Sequence, residues 1–277
     1  MVSFALNDSL DWNVVKRPIF FSDENGQPVP YESKVAIVRE DTQMPLGIVA
    51  PSYTPVQNST LKQLVAPMVS EGVLEIANSG TLNGGGKVFM QLKLNKEFEV
   101  VGESYAGYLC LLNSHNGTTA VSAGPHLTRI ICNNTFSCVM KDLTEKFRHT
   151  GDVNEKVLNS QAVVQFVDGA MSVYSKHVET LASTRCTGAQ FREALEAIYQ
   201  KPVSKMRESF VQQMDRLFYS GIGNEGKTMY DCMNAVTEQT NHHARKTAAG
   251  NMYYSQFGSG AAINRRAMGV LLEMAAV

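Results

Sequence analysis

The polar run Asn113-Ser114-His115-Asn116-Gly117 combines a potential proton carrier with a turn that could present it. His115 could act as a general base, because histidine exchanges a proton near neutral pH. No aspartate or serine partner for it is identifiable by motif. Asn116-Gly117 favours a two-residue β-hairpin turn, which would place Asn113, Ser114 and His115 on the preceding strand. The alternative is that these polar side chains only satisfy the turn, so we predict no catalytic set.

The glycine-rich run Asn83-Gly84-Gly85-Gly86-Lys87 invites comparison with a phosphate-binding loop. That loop needs a glycine six residues before its lysine and a serine or threonine after it. Thr81 and Val88 occupy those two positions. We therefore predict a hairpin turn between two strands, from which Lys87 could still contact a phosphate backbone.

The segment around Arg129 places a cation inside an apolar strand pattern. A buried guanidinium needs an acidic partner, a backbone carbonyl or an anionic ligand, so we predict that Arg129 is buried with a partner or lines a groove. Asn133 and Asn134 follow the strand. They indicate either a turn whose amides bond to the backbone or direct contact with a ligand.

The last third of the chain brings basic and aromatic residues close together in sequence. Adjacent His242 and His243 cannot both face one metal on a helix, because side chains four residues apart share a face, so we predict no metal site. The cations near them could cap a helix or contact phosphate. Aromatic residues beside such cations are typical of single-strand binding. The candidate nucleic-acid-binding residues are Lys87, Arg129, Arg245, Lys246, Tyr253, Tyr254, Arg265 and Arg266.

Composition limits the class of protein that carries these residues. The chain has 277 residues, 44% of them hydrophobic and 18% charged, which is typical of a folded protein with a substantial core. The five cysteines show no C-x-x-C pair, which favours reduced thiols. No apolar run is long enough to span a bilayer and no signal peptide is recognisable, so we predict a cytoplasmic protein without a membrane partner or cofactor.

The elements that must position these residues change type near residue 140. Short segments rich in β-branched and aromatic residues predict strands over 35–39, 47–50, 73–78, 87–94, 97–101, 106–113, 118–122 and 127–132, with one helix from Asn58 or Ser59 to Gly72. Apolar residues at three- and four-residue steps then predict helices within 153–181, 187–201, 227–247 and 261–275. A further helix follows Pro202 and ends at about residue 219.

This order predicts an α+β fold, with an antiparallel sheet from the N-terminal half and helices from the C-terminal half packed on it. We expect an N-terminal extension over 1–30 and a single domain over 31–277, strand-rich in 31–140 and helical in 150–277. The net charge is -1 overall. Residues 1–127 hold 8 basic and 12 acidic side chains, whereas residues 128–277 hold 17 and 14. The helical half therefore favours an anionic partner.

Two segments carry a resemblance to a known family. Leu111-Leu112-Asn113-Ser114-His115-Asn116-Gly117 and Arg129-Ile130-Ile131-Cys132-Asn133-Asn134 are similar to the patterns LLNSH(D/N)G and R-(I/F)-x-C-x-N of a phage- and plasmid-borne family. That family is named domain of unknown function 932, or phage/plasmid-like protein. The segments 235–243 and 257–260 also resemble it, and the similarity covers about residues 30–275. It implies a mobile-element protein that works near phage or plasmid DNA metabolism.

A more remote similarity in the order of strands and helices connects the chain with phage single-strand annealing proteins of the Red-beta, RecT and Erf kind. It implies a protein that binds single-stranded DNA in a basic groove, needs no nucleotide and forms a homo-oligomeric ring or filament. Our first hypothesis is therefore a single-stranded DNA-binding protein for annealing or recombination. The alternatives are a protein-binding regulator or host-defence antagonist of a mobile element, and a hydrolytic enzyme that uses His115.

Overall fold

The computed structural model describes residues 4–6, 9–129, 131, 134–137, 145–158 and 162–276. Strands fill most of the first half of this part of the chain and helices most of the second, which confirms the predicted α+β class. The strands are β1 Phe4–Leu6, β2 Val14–Ser22, β3 Pro28–Arg39, β4 Pro45–Val49, β5 Leu74–Leu82, β6 Lys87–Val100, β7 Glu103–Ser114, β8 Val121–Arg129, β9 Asn134–Ser137 and β10 Glu145–Phe147.

The helices follow the same numbering along the chain. They are α1 Asn58–Ser70, α2 Val153–Leu158, α3 Ala162–Ser183, α4 Gly188–Tyr199, α5 Glu208–Ser220, α6 Met229–Glu238, α7 Ala248–Gln256 and α8 Ser259–Ala275. Capping boxes begin α4 at Thr187 and α6 at Thr228, where each threonine hydroxyl accepts a backbone N–H three residues later. A π-helical turn, Gln239–His243, continues directly from α6.

The strands form two sheets. The larger has the order β1-β5-β6-β7-β8-β10, with β9 also paired to β8, and the smaller has the order β2-β3-β4. The pairs β1–β5, β5–β6, β8–β9 and β8–β10 are antiparallel, as are β2–β3 and β3–β4. The antiparallel sheet that the sequence predicts is therefore confirmed.

The chain divides into two compact units. Unit 1 comprises Met1–Asn95, Leu109–Gly124 and Thr144–Gln165, and unit 2 comprises Lys96–Tyr108, Pro125–Leu143 and Phe166–Val277. Strands β6, β7 and β8 each contribute residues to both units. The prediction of a single domain over 31–277 stays a prediction.

The first thirty residues include a packed segment of unit 1, residues 10–14. They supply β1 and β2, and the side chains of Leu10, Trp12 and Val14 are buried. Trp12 lies beside Gly85, where an added Cβ would come within 3.2 Å of the indole ring. Neither β1 nor β2 is among the predicted strands.

The core of unit 2 is formed mainly by its helices. Phe191 and Phe218 stack there at 4.3 Å between ring centroids, and Val100 and Tyr105 join them from β6 and β7. Cys186 and Cys232 are buried in this core as free thiols, and Cys110 is buried and free in unit 1. Cys132 and Cys138 lie outside the described residues.

Candidate functional site

The turn at Asn83–Lys87 and the loop after β7 meet in unit 1. The turn joins the antiparallel strands β5 and β6, so the predicted hairpin is confirmed. The backbone N–H groups of His115 and Asn116 both donate to the Gly86 carbonyl, at 2.9 and 3.1 Å. A Cβ on Gly86 would lie 3.0 Å from the Asn116 amide nitrogen, so this glycine allows the two segments to approach.

The loop itself spans 115–120 and is longer than the two-residue turn predicted from Asn116-Gly117. Its side chains explain the extra length. The Ser114 hydroxyl donates to Asn116 Oδ1 at 2.8 Å, and the same oxygen accepts from the Thr118 backbone N–H at 3.2 Å and the Thr118 hydroxyl at 2.6 Å. Gly117 adopts a φ of 73°, which favours glycine. Side chains bonded to nearby backbone thus shape a wider loop than sequence spacing suggests.

Asn113 fixes the strand end from which this loop leaves. Its side chain is fully buried, donates to the Val56 carbonyl at 2.8 Å and accepts from the Ser114 backbone N–H at 2.8 Å. Both its polar groups are therefore used inside the protein. Asn113 acts here as a connection between the strand and the segment that precedes α1.

His115 is held by a chain of hydrogen bonds that also defines its tautomer. Asn58 Nδ2 donates to the Trp12 carbonyl at 3.0 Å, so Asn58 Oδ1 is left to accept from His115 Nε2 at 2.9 Å. The proton of a neutral imidazole then lies on Nε2. Nδ1 keeps its lone pair and is buried without a hydrogen-bond partner in the described part of the chain.

Burial and, to a smaller extent, the neighbouring His149 together lower the pKa of His115 from 6.5 to about 3. The ring is completely shielded from solvent and meets Trp12 edge-on at 5.3 Å. A general base must reach both a substrate and the proton that it removes. The structure therefore favours the interpretation of the Asn113–Gly117 motif as a polar support for its own loop.

Sequence reasoning missed the partners of this motif. The sequence predicts that the helix starts at Asn58 or Ser59 with one of them as its cap, but the residue before α1 is Gln57, and Asn58 instead bonds Trp12 and His115. His149 stacks on Tyr53 at 4.6 Å and its Nδ1 lies 3.1 Å from the Thr54 carbonyl. These residues are distant from the motif along the chain and no local pattern connects them to it.

The basic and aromatic residues predicted to bind nucleic acid lie mainly in unit 2. The π-helical turn after α6 exposes His242 and His243, and the next residues lead into α7. Asn251, which is buried, holds this connection. Its Nδ2 donates to the His242 carbonyl at 2.9 Å, and its Oδ1 accepts from the Arg245 backbone N–H at 2.6 Å. These two hydrogen bonds therefore fix the direction of the chain at Arg245 and Lys246.

Arg245 and Tyr254 form a stacked pair. The guanidinium carbon of Arg245 lies 4.2 Å from the centroid of the Tyr254 ring, which is cation–π geometry. The other packing partner of the ring is the backbone at Gly260, where an added Cβ would lie 2.6 Å from a ring carbon. Arg245 and Lys246 are exposed, and Tyr253 and Tyr254 are half-buried. This group places charge and aromatic surface side by side.

Arg265 and Arg266 differ in their surroundings although they are adjacent on α8. Arg265 is exposed, and its charge reinforces the effect of burial, which lowers the pKa of His126 to about 4. Arg266 is half-buried and donates from Nη1 to the Ile198 carbonyl at 2.7 Å, near the C-terminus of α4. Arg265 therefore presents its charge to solvent, whereas Arg266 stabilises the end of a helix.

A cavity of about 420 Å³ lies where α4 ends and α5 begins. Tyr199 and Phe210 meet edge-on at 5.1 Å in its wall. Burial raises the pKa of Tyr199. The cavity adds two cations to the same unit, and its lining is Tyr199, Lys201, Met206, Arg207, Ser209, Phe210 and Gln213. None of these residues is among the nucleic-acid-binding candidates that the sequence predicts.

Of the four remaining predicted residues, Lys87 lies in unit 1, and Arg129, Asn133 and Asn134 fall wholly or partly outside the described residues. Lys87 is half-buried at the start of β6 and belongs to unit 1, whereas the candidates described above belong to unit 2. Arg129 pairs with Asn134 through the backbones of β8 and β9, but their side chains lie outside the described part, as does Asn133 altogether. The prediction that Arg129 is buried therefore lies outside the described residues. Strand β9 itself contacts α6, α7 and α8.

Metal-binding groups and membrane-spanning helices are both absent from the described residues. These residues hold no group of three or more histidine, cysteine, aspartate or glutamate side chains placed to bind a metal ion. No helix within the described ranges has the length and apolar character needed to cross a membrane.

The fold and its surfaces define an α+β protein whose helical unit presents cationic and aromatic side chains. A family model described as Domain of unknown function (DUF932) matches residues 45–268, and the chain belongs to this family. The match includes both the Asn113–Gly117 motif and the surface around Arg245, and it confirms the resemblance noted in the sequence. No curated protein and no solved structure gives a significant match.

Proposed function

We propose that this protein binds single-stranded DNA on unit 2 and acts in annealing or recombination without nucleotide hydrolysis. The observation that supports the proposal most directly is the stacked pair Arg245 and Tyr254. A base can stack on an aromatic ring, while a cation beside it meets the phosphate of the same nucleotide. Lys246 and Arg265 add exposed charge on the flanking segments.

The cavity beside Tyr199 extends this set of residues. Its two aromatic rings and its exposed Lys201 and Arg207 repeat the combination found at Arg245 and Tyr254. A strand that follows both places would meet aromatic and basic groups in turn, as strands do on sequence-tolerant binding proteins. The buried His115 gives no support to the hydrolytic alternative. Assembly of several copies along one strand is part of the proposal.

The test measures binding of a labelled single-stranded oligonucleotide by fluorescence anisotropy over a salt series. Each phosphate that a cation neutralises on a single strand contributes about 0.7 to the log–log salt slope. The double variant Arg245→Ala, Lys246→Ala should weaken binding to every sequence and flatten the slope by about 1 to 1.5. The control is Lys176→Ala with Arg185→Ala, which removes two other exposed cations of unit 2.

A second variant separates stacking from charge. Tyr254→Leu should weaken binding by about 1–3 kcal/mol with little change of slope, because loss of stacking releases no counterions. Equal effects of the test and control pairs would mean that binding is a general property of the charge on unit 2. Absence of binding at low salt would reject the proposal and favour the alternative of a protein-binding regulator.

A further inference from the structure

The hairpin of β2 and β3 in unit 1 extends beyond the strand that pairs with it. Strand β4 pairs with β3 only over residues 35–38, so the remainder is a two-stranded ribbon. We call residues 16–34 the β2–β3 ribbon. Every side chain in it is exposed or half-buried. A two-stranded ribbon without further packing is marginally stable in water, so these residues would gain from a partner.

The ribbon carries large apolar side chains on both faces. Phe20, Phe21 and Tyr31 are 54%, 53% and 47% exposed. Phe20 and Phe21 are consecutive in a strand, so they point to opposite faces. Phe21 pairs with Val29, and Tyr31 lies two residues further along that strand, so Phe21 and Tyr31 share one face. Neighbouring exposed aromatic side chains on one face are typical of an interaction surface.

The edges of the ribbon are unsuited to the addition of a further strand. Pro18, Pro28 and Pro30 lack a backbone N–H group, and the register between β2 and β3 shifts between Pro18 and Phe20. Prolines and irregular pairing protect exposed edges against strand pairing. A partner would therefore pack against a face of the ribbon.

The net charge of the ribbon changes sign along its length. Near the part that β4 covers, which we call the base, Lys16, Arg17 and Lys34 outweigh Glu32, whereas Asp23 and Glu24 lie at the tip. Arg17, Lys34 and Glu24 are exposed. Two such ribbons laid antiparallel would bring the acidic tip of each onto the basic base of the other. The ribbon is thus complementary to itself, and a nucleic acid would meet repulsion at the tip.

We propose that the β2–β3 ribbon packs face to face against the same ribbon of a second copy of this chain, around a two-fold axis. Such an interface is isologous and closes into a dimer. It requires no nucleic acid and is independent of the function proposed for unit 2. The ribbon also lies before the range 45–268 that matches the family.

The first test measures the mass of the full chain by sedimentation over a concentration series. The parent should show a concentration-dependent dimer, and Phe21→Ser with Tyr31→Ser, which changes two aromatic residues on one face, should raise its dissociation constant at least about 10-fold. The control is Ile48→Ser, because Ile48 is 65% exposed on β4, outside the ribbon. A parent that stays monomeric, or a control that dissociates as readily as the ribbon variant, would overturn the proposal.

The second test uses the charge pattern. One variant has a reversed base, Arg17→Glu with Lys34→Glu, and the other a reversed tip, Asp23→Asn with Glu24→Lys. Asparagine keeps the oxygen that accepts the Asn25 and Gln27 backbone N–H groups in the turn. Each variant alone should dimerise at least about 10-fold more weakly, because like charges meet.

A mixture of the two variants should dimerise as a heterodimer, since both tip-to-base contacts become complementary again. Failure of the mixture to associate while both variants remain folded would contradict the antiparallel arrangement. An oligonucleotide-binding defect in the Phe21→Ser, Tyr31→Ser variant without any change in mass would instead show that the ribbon contacts nucleic acid.

Discussion

At the scale of single residues, Asn58 decides how the family motif is used. Its amide joins Trp12 to His115, and this bond fixes which imidazole nitrogen carries the proton. The histidine that looks available for catalysis in the sequence is thereby a neutral, buried side chain. Catalysis by His115 would first require the packing around Trp12 to open.

The lowered pKa of His115 predicts an acid-dependent loss of stability in unit 1. Below pH 6.5 the unfolded chain binds a proton at this histidine, whereas the folded state does so only near pH 3. Stability is therefore complete above pH 6.5 and decreases as the pH falls towards 3. The slope should approach about 1.4 kcal/mol per pH unit for one such histidine.

Urea unfolding between about pH 5 and pH 7.5 measures this effect. His115→Gln should lower the stability of the protein at neutral pH and also reduce the dependence on pH. His242→Gln changes an exposed histidine and should leave the dependence as it is in the parent. If His115→Gln and the parent share the same slope, other groups determine the acid sensitivity.

Substitution of Arg265 should affect mainly oligonucleotide binding, and substitution of its neighbour Arg266 should affect mainly stability. Arg266→Ala leaves the buried end of α4 without the donor to Ile198 and should lower the free energy of unfolding by about 1–3 kcal/mol. Arg265→Ala should change stability little and flatten the salt slope of oligonucleotide binding by about 0.7. Unfolding and anisotropy measurements on both variants test these expectations. If Arg266→Ala flattened the salt slope and Arg265→Ala lowered stability, Arg266 would be the ligand-binding cation.

At the scale of elements, α8 positions Tyr254 through its first turn. Gly260→Ala would place a methyl group 2.6 Å from the Tyr254 ring and 2.7 Å from the Tyr254 carbonyl oxygen, so Tyr254 must shift and its stacking with Arg245 is disturbed. We expect weaker oligonucleotide binding and lower stability. Gly269→Ala is the matched control in the same helix, because nothing lies within 4 Å of its added Cβ. That change should stabilise the helix by about 0.4–1 kcal/mol and leave binding unchanged.

Elements were predictable from the sequence where their determinants are local. The helices α4, α5 and α8 follow from apolar periodicity, and the turn before β6 follows from its glycines. The sequence predicts separate strands over 87–94 and 97–101, but Asn95 and Lys96 are exposed within the single strand β6 and need no turn. The helix predicted over 227–247 ends earlier, because the chain enters a π-helical turn at Gln239.

The site was less predictable because its contacts are long-range. The sequence singled out Arg245, Tyr254 and Arg265 from composition alone, and the structure brings Arg245 and Tyr254 together. It could not show that Asn251 orients Arg245, that Arg266 bonds α4, or that the cavity beside Tyr199 belongs to the same unit. Each of these relations joins residues through tertiary packing, which no local spacing encodes.

At the scale of the whole molecule, the core of unit 2 requires strands that lie far from its helices in the sequence. Val100 and Tyr105 belong to the same buried cluster as the helices of residues 174–271. A fragment of residues 166–277 would lack both and should not unfold cooperatively. Thermal unfolding of the fragment and of the full chain tests this, and a sharp transition in the fragment would show that the helices suffice.

The interleaved boundaries of the units also have an evolutionary consequence. The chain passes from one unit to the other at residues 95–96, 108–109, 124–125, 143–144 and 165–166. A single genetic crossover therefore cannot exchange one unit for a foreign version while keeping the other intact. Recombination between related genes would transmit these two units only as a pair, so substitutions in one unit would always be selected in the presence of the other.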